Sequence, residues 1–234
     1  MEPIRTALLE QIFVFRAISQ QGAWNNWGDY AMQLDYTHIC VVLDASGSMQ
    51  TIKSDVVGAL VGFCAEQRKK AESGEQIAVD LYQFNDNVNR LAHNAALDEF
   101  ERLIDAYRCS GCTALYDAVC QGVDELGAFF AALPEDKRPE DVMFVIVTDG
   151  AENSSKRFNA AHVRERIERQ REQYNWNFVF LASGIDVERA AADIGVRGDE
   201  AVEFKRSQAR EALADRMDER MYNIRKQRQK RREE

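Results

Sequence analysis

The sequence has little proline and little glycine, three and thirteen in 234 residues. That scarcity excludes a collagenous chain and a linker-rich one. No apolar run approaches the roughly 20 residues that span a bilayer. The first such run, residues 12–15, is too short for the core of a secretory signal, and no cleavage signature follows it. A cytoplasmic protein without membrane association is expected. Cysteines number five: Cys40, Cys64, Cys109, Cys112 and Cys120. An odd count without a secretion signal reads as reduced thiols, and Cys40 and Cys120, set in apolar runs, read as core residues. Cys109-Ser-Gly-Cys112 has zinc-knuckle spacing, but no second such pair and no spaced histidine pair accompanies it, so two reduced loop thiols are expected rather than zinc. The three histidines, His38, His93 and His162, form no ligand spacing, and none is placed to serve as base for a serine nucleophile. Neither Gly-x-Gly-x-x-Gly nor a Walker-type loop is present, which removes the usual dinucleotide and nucleotide cradles.

Hydrophobic residues at 45% and charged residues at 29% are ordinary proportions for a globular protein. The length suits one domain with appendages. Charge is unevenly spread: the net value is −9, yet residues 205–234 hold eleven Lys/Arg against six Asp/Glu. An acidic body with a basic tail gives the tail a task of its own. Arg225-Lys-Gln-Arg-Gln-Lys-Arg-Arg232 has six cations in eight residues and no apolar side chain. With no buried face and with like charges at i,i+4, this end is expected to fray. A loose cationic end suits an acidic partner surface, nucleic-acid phosphates or the domain's own acidic face; a protein surface is the preferred expectation.

Hydrophobic spacing supplies the elements. Residues 3–20 read as a helix through Ile4, Leu8, Ile12, Phe15 and Ile18, followed by an aromatic loop, Trp24-Asn-Asn-Trp27-Gly-Asp-Tyr30. From His38 onward, strands alternate with helices. Residues 38–43, 142–147 and 177–182 are short apolar runs of the buried parallel type; residues 77–84 add a strand, with edge strands expected at 88–92 and 201–204. Helices are expected at 52–70, 97–106, 115–133, 160–173 and 187–194, with a last one from Ser207 onward. This pattern predicts an α/β fold, a doubly wound, mostly parallel central sheet flanked by helices, with extra N- and C-terminal helices. Ligands of such sheets bind beyond the carboxyl ends of the strands.

Three loops carry chemistry there. Asp44-Ala-Ser46-Gly-Ser48 follows the first buried strand, Thr148-Asp149-Gly150 follows the second, and Ser110-Gly-Cys-Thr113 leads into a helix. Two carboxylates and three hydroxyls are hard oxygen donors suited to an octahedral Mg²⁺ with one position left open. Glu152 and Asn153, and the pair Asn85-Asp86, lie close enough in sequence or topology to border the same rim, although solvated loop polarity is the plainer reading of the first two.

At these residues the sequence resembles von Willebrand factor A (vWA) domains with an intact metal-ion-dependent adhesion site. The family pattern of Asp-x-Ser-x-Ser, a distant Thr and a distant Asp falls on Asp44, Ser46, Ser48, Thr113 and Asp149. The resemblance covers about residues 36–204 and extends to small stand-alone vWA proteins of bacteria and their phages. It implies a Rossmann-like vWA domain at 36–204, between an N-terminal helix and aromatic loop at 1–35 and a basic helix at 205–234. It also implies that those five residues hold Mg²⁺ (or Mn²⁺ or Ca²⁺), directly or through water, and that the open position accepts a Glu or Asp of a protein partner. The function implied is non-enzymatic, Mg²⁺-dependent protein binding of the adhesion or scaffold kind. Two alternatives stand beside it: a nucleic-acid-associated protein using residues 225–232, and a Mg²⁺-dependent hydrolase. Haloacid-dehalogenase-type phosphatases also place Asp after a first buried strand, but they require Asp-x-Asp, and here Ser46 stands at the second position.

Overall fold

The computed structural model describes residues 35–71 and 74–233; the helix expected at 3–20 and the aromatic loop after it lie outside the described residues. The strands are β1 (Tyr36–Asp44), β2 (Gln76–Phe84), β3 (Val88–Ala96), β4 (Asp141–Thr148), β5 (Asn177–Ala182) and β6 (Ala201–Glu203). The helices are α1 (Lys53–Lys70), α2 (Leu97–Leu103), α3 (Leu115–Ala132), α4 (Ala160–Tyr174), α5 (Val187–Asp193) and α6 (Ala209–Glu233). The sheet order is β3-β2-β1-β4-β5-β6. Every neighbouring pair is parallel except β2 with β3. This is the expected doubly wound, mostly parallel sheet.

The apolar runs became central strands because both faces are covered: β1 and β4 are buried along their whole lengths. Ile39, Val41 and Leu43 of β1 face one layer, and Cys40 and Val42 face the other, the two-residue alternation of a strand. The first layer holds α1, α2 and α6, with Val56, Leu60 and Phe63 meeting Met143 and Val145 of β4 in one core. The second holds α3, α4 and α5, with Val119, Val123, Val163 and Ile167 meeting Phe144, Phe178 and Phe180. β3 runs on to Ala96, four residues past the expected edge strand, because it is the return arm of a hairpin closed by Asn85 N–H to Asn87 O at 3.0 Å.

The C-terminal helix departs most from expectation. Its face is a stripe of Leu213, Met217, Met221 and Ile224, all buried in the first layer, and Arg228 continues that stripe at the next helical step, only 3% exposed. No fraying is seen, and α6 continues to Glu233. The missing apolar face is replaced by carboxylates at the amino ends of β1, β2 and β4. Arg228 donates to Asp141 Oδ2 from Nε at 2.9 Å and to Thr37 Oγ1, and lies 3.5 Å from Glu75. Arg225 pairs with Glu75 at 3.1 Å, Arg231 with Asp141 at 3.0 Å, and Arg232 with Asp35 at 2.9 Å. The basic tail is thus bound by the domain's own acidic pole.

Candidate metal centre

The strands β1, β4 and β5 are parallel, so the loops after Asp44, Thr148 and Ala182 open on one edge. Asp44 closes β1 and is fully buried. Its Oδ1 accepts from Ser46 N–H at 2.7 Å and its Oδ2 from Thr148 Oγ1 at 2.6 Å. Burial pushes the Asp44 carboxyl up, against those two hydrogen bonds, which favour its charged form. Tyr107 donates its hydroxyl to Asp44 O, fixing the strand end from the other side.

Ser46 Oγ and Ser48 Oγ stand 3.1 Å apart, and Ser48 Oγ donates to Asp149 Oδ1 at 2.6 Å. The third loop is bound to the first by backbone bonds: Ser110 N–H to Ala45 O at 2.7 Å and Gly47 N–H to Gly111 O at 3.1 Å. Gly111 has φ +76°, and a Cβ there would meet the Asp86 carboxylate at 2.1 Å; only glycine allows this approach. Thr113 N–H donates to Asn153 Oδ1 at 2.8 Å. A Cβ on Gly150 would lie 3.6 Å from Thr113 Oγ1 and 4.0 Å from Ser48 Oγ, so both hydroxyls border the turn that carries Asp149. The structure therefore brings the five sequence-predicted residues together.

The rim candidates turn out to be braces. Glu152 accepts from Tyr116 N–H, Ser154 N–H, Ser155 N–H and Ser155 Oγ at 2.7–3.0 Å. Asn85 O accepts from Ala114 N–H at 2.8 Å, and Asp86 Oδ2 accepts from Cys112 N–H at 3.1 Å. The thiol pair flanks this loop. Burial pushes the Cys109 thiol up, and a hydrogen bond to Asp86 pushes up that of Cys112, so neither is a ready thiolate. The histidines are structural: His38 and His93 bond Asp80, and His162 forms a capping box with Asn159 at the start of α4.

Sequence reasoning missed three participants. Thr148, quoted only as part of a turn, holds Asp44. Asp117 is buried at the start of α3 and accepts from the N–H groups of Lys156, Arg157 and Phe158, pinning the loop after Asp149; an acidic residue in the first turn of a helix was its available signal. Arg206 Nη2 lies 2.8 Å from Asp149 Oδ2 and had no local signal.

The donor set suits a hard divalent cation. Asp149 is 3% exposed, and its Oδ2 receives no well-aligned hydrogen bond. Arg206 is close enough for an ion pair, but its Nη2 donates instead to Asp149 O at 3.4 Å. A buried carboxylate oxygen met by a half-exposed guanidinium at 2.8 Å but by no aligned hydrogen bond, in a cluster with a second carboxylate and hydroxyls, has the chemistry of a cation site. Among the described residues no group of three or more His, Cys, Asp or Glu is gathered to hold a metal; the candidate centre depends on hydroxyls for most of its donors.

No family model matches the sequence, and no curated protein matches it. Solved structures do. Proximal thread matrix protein 1 from the mussel byssus superposes with a TM-score of 0.57 at 13% identity over 80% of this chain and 46% of that one. The manganese-loaded Plasmodium vivax TRAP protein gives 0.55 at 15% identity over 78% and 73%. A von Willebrand factor type A protein from Catenulispora acidiphila gives 0.51 at 12% identity over 77% and 41%. The fold is of the vWA type. The chain spans less than half of the mussel and Catenulispora proteins, and at these identities the likeness is one of fold. The five candidate ligands lie where the vWA-type sheet presents its carboxyl ends. Among the described residues no helix is long and apolar enough to cross a membrane.

Proposed function

We propose that this chain is a non-enzymatic module that binds a protein partner through a divalent cation held by Asp44, Ser46, Ser48, Thr113 and Asp149. Mg²⁺ is the first choice, with Mn²⁺ and Ca²⁺ as alternatives. The observation that carries the reading is the buried Asp149 carboxylate: Ser48 holds its Oδ1, its Oδ2 meets the Arg206 guanidinium without an aligned hydrogen bond, and the Ser48 and Thr113 hydroxyls border its turn. The cation would supply a Lewis-acidic position for a Glu or Asp carboxylate of the partner. The residues here orient that position: Thr148 and Ser46 fix Asp44, Ser48 fixes Asp149, and Asn153 fixes Thr113. The vWA-type fold supports adhesion or scaffolding in general, and the manganese in one similar structure supports the class of ion. The hydrolase alternative lacks an acid or base at Ser46. The nucleic-acid alternative loses ground because Arg225, Arg228, Arg231 and Arg232 are already paired with Asp35, Glu75, Glu140 and Asp141.

A ligand that binds only the folded state stabilises it by about 2.7 kcal/mol at a hundredfold excess over its Kd. Mg²⁺ should therefore raise the Tm of the wild type, and Asp149→Ala should abolish the rise. An equal rise in both proteins contradicts the assignment. Capture of a partner in Mg²⁺, lost in EDTA and in Asp149→Ala, tests the binding role.

A further inference from the structure

Arg206 lies in the short connection between β6 and α6, and its side chain is 45% exposed. Its guanidinium reaches across 57 residues of sequence to the turn of Asp149, with Nη2 2.8 Å from Oδ2 and 3.4 Å from the backbone oxygen. The other carboxylate oxygen is already taken by Ser48. Oδ2 is the face that a cation would use, and Arg206 stands on it. Two positive groups cannot share one oxygen at these separations without strong repulsion. The half-exposed side chain has solvent to move into, and it is held at Asp149 by the 2.8 Å ion pair and one long bond to the backbone oxygen, with no aligned hydrogen bond to the carboxylate.

We infer that Arg206 is a resident counter-cation of the metal centre, occupying Asp149 in the metal-free protein and leaving it when a divalent ion binds. The inference rests on the metal reading above. Arg206 gives the two buried carboxylates, Asp44 and Asp149, a compensating charge without metal. It also sets the threshold at which metal enters, because binding must displace it. Displacement frees the connection leading into α6, so metal occupancy and the order of residues 205–208 become coupled, each shifting the other by the same factor.

The test is a calorimetric titration of Mg²⁺ into the full chain and into Arg206→Gln and Arg206→Lys, with hydrogen exchange followed at residues 206–209. Removing the competing charge should tighten Mg²⁺ binding about tenfold in Arg206→Gln, a moderate value because the group is half exposed. Arg206→Lys keeps the charge and should stay within about threefold of wild type. Mg²⁺ should speed exchange at 206–209 in the wild type and leave it unchanged in Asp149→Ala. Equal or weaker Mg²⁺ binding by Arg206→Gln overturns the displacement while the metal centre stands; weaker binding would mark Arg206 as a support of Asp149. No binding of Mg²⁺ or Mn²⁺ by any of the three proteins overturns both readings.

Discussion

Asp80 is fully buried in the middle of β2, where an unpartnered carboxylate would be costly. It accepts from His38 Nε2 at 2.8 Å, His93 Nδ1 at 2.9 Å and Asn94 N–H at 3.3 Å. Burial would raise its carboxyl, yet the hydrogen bonds and charges of the two histidines outweigh it and hold Asp80 below the ordinary carboxylate range. A carboxyl depressed in the folded state contributes stability that is complete above the unfolded value of about 3.9 and is lost as pH falls through the folded value. Urea unfolding from pH 5 down to pH 2 should show this loss in the wild type. Asp80→Asn should be less stable by about 3 kcal/mol at pH 7, as for a broken buried pair, and should have a flatter profile below pH 4. A parallel profile would assign the acid sensitivity elsewhere. At this scale the sequence was legible where chemistry is local. Asp44, Ser46 and Ser48 share one turn, and the structure links each to the next by a hydrogen bond. Arg206 and Arg228 were not legible, because their partners lie 57 and 87 residues away and nothing near an arginine in sequence tells which carboxylate it will meet.

Among the elements, α6 shows how a helix with a weak apolar face is held. Four apolar side chains seat its first part in the core; ion pairs to the amino ends of β1, β2 and β4 hold its last two turns. Arg228→Ala should cost about 2–3 kcal/mol in chemical denaturation, since Asp141 and Glu75 lose their most buried partner and keep only the more exposed Arg231 and Arg225. Truncation after Ile224 should cost at least as much and lower the Tm, whereas a solvated tail would be removed without effect. The buried strands were readable because an unbroken apolar run has few ways to fold. The end of α6 was not, because its lack of an apolar face and its like charges at i,i+4 are local features, whereas the carboxylates that hold it lie 87 to 197 residues away. The extension of β3 to Ala96 was not readable either: pairing with β2 orders residues 93–96, whose own sequence is polar and mixed.

For the whole molecule, the uneven charge is internal complementarity: an acidic sheet edge neutralised by a basic helix. The pairs differ in their response to salt. Arg231 and Arg232, 47% and 39% exposed, are screened by added electrolyte, whereas Arg228, 4% exposed along its side chain, is protected. Raising NaCl from 0.05 to 0.5 M, concentrations that shorten the screening length to a few ångströms, should lower stability by about 1 kcal/mol or less in wild type. The same salt should have less effect on the chain truncated after Ile224. The fold class was legible at this scale because alternating strands and helices admit few arrangements, and the parallel order then placed three oxygen-bearing loops on one edge. The ion pair between Asp35 and Arg232 has a further consequence. The polypeptide begins its sheet and completes its last helix at the same pole, within one side-chain contact, while the candidate metal centre opens at the other. Residues 35–233 therefore have the layout of an insertable cassette. Spliced into a surface loop of a carrier protein through short linkers, they would hang by a closed base and present the edge with the candidate metal centre outward.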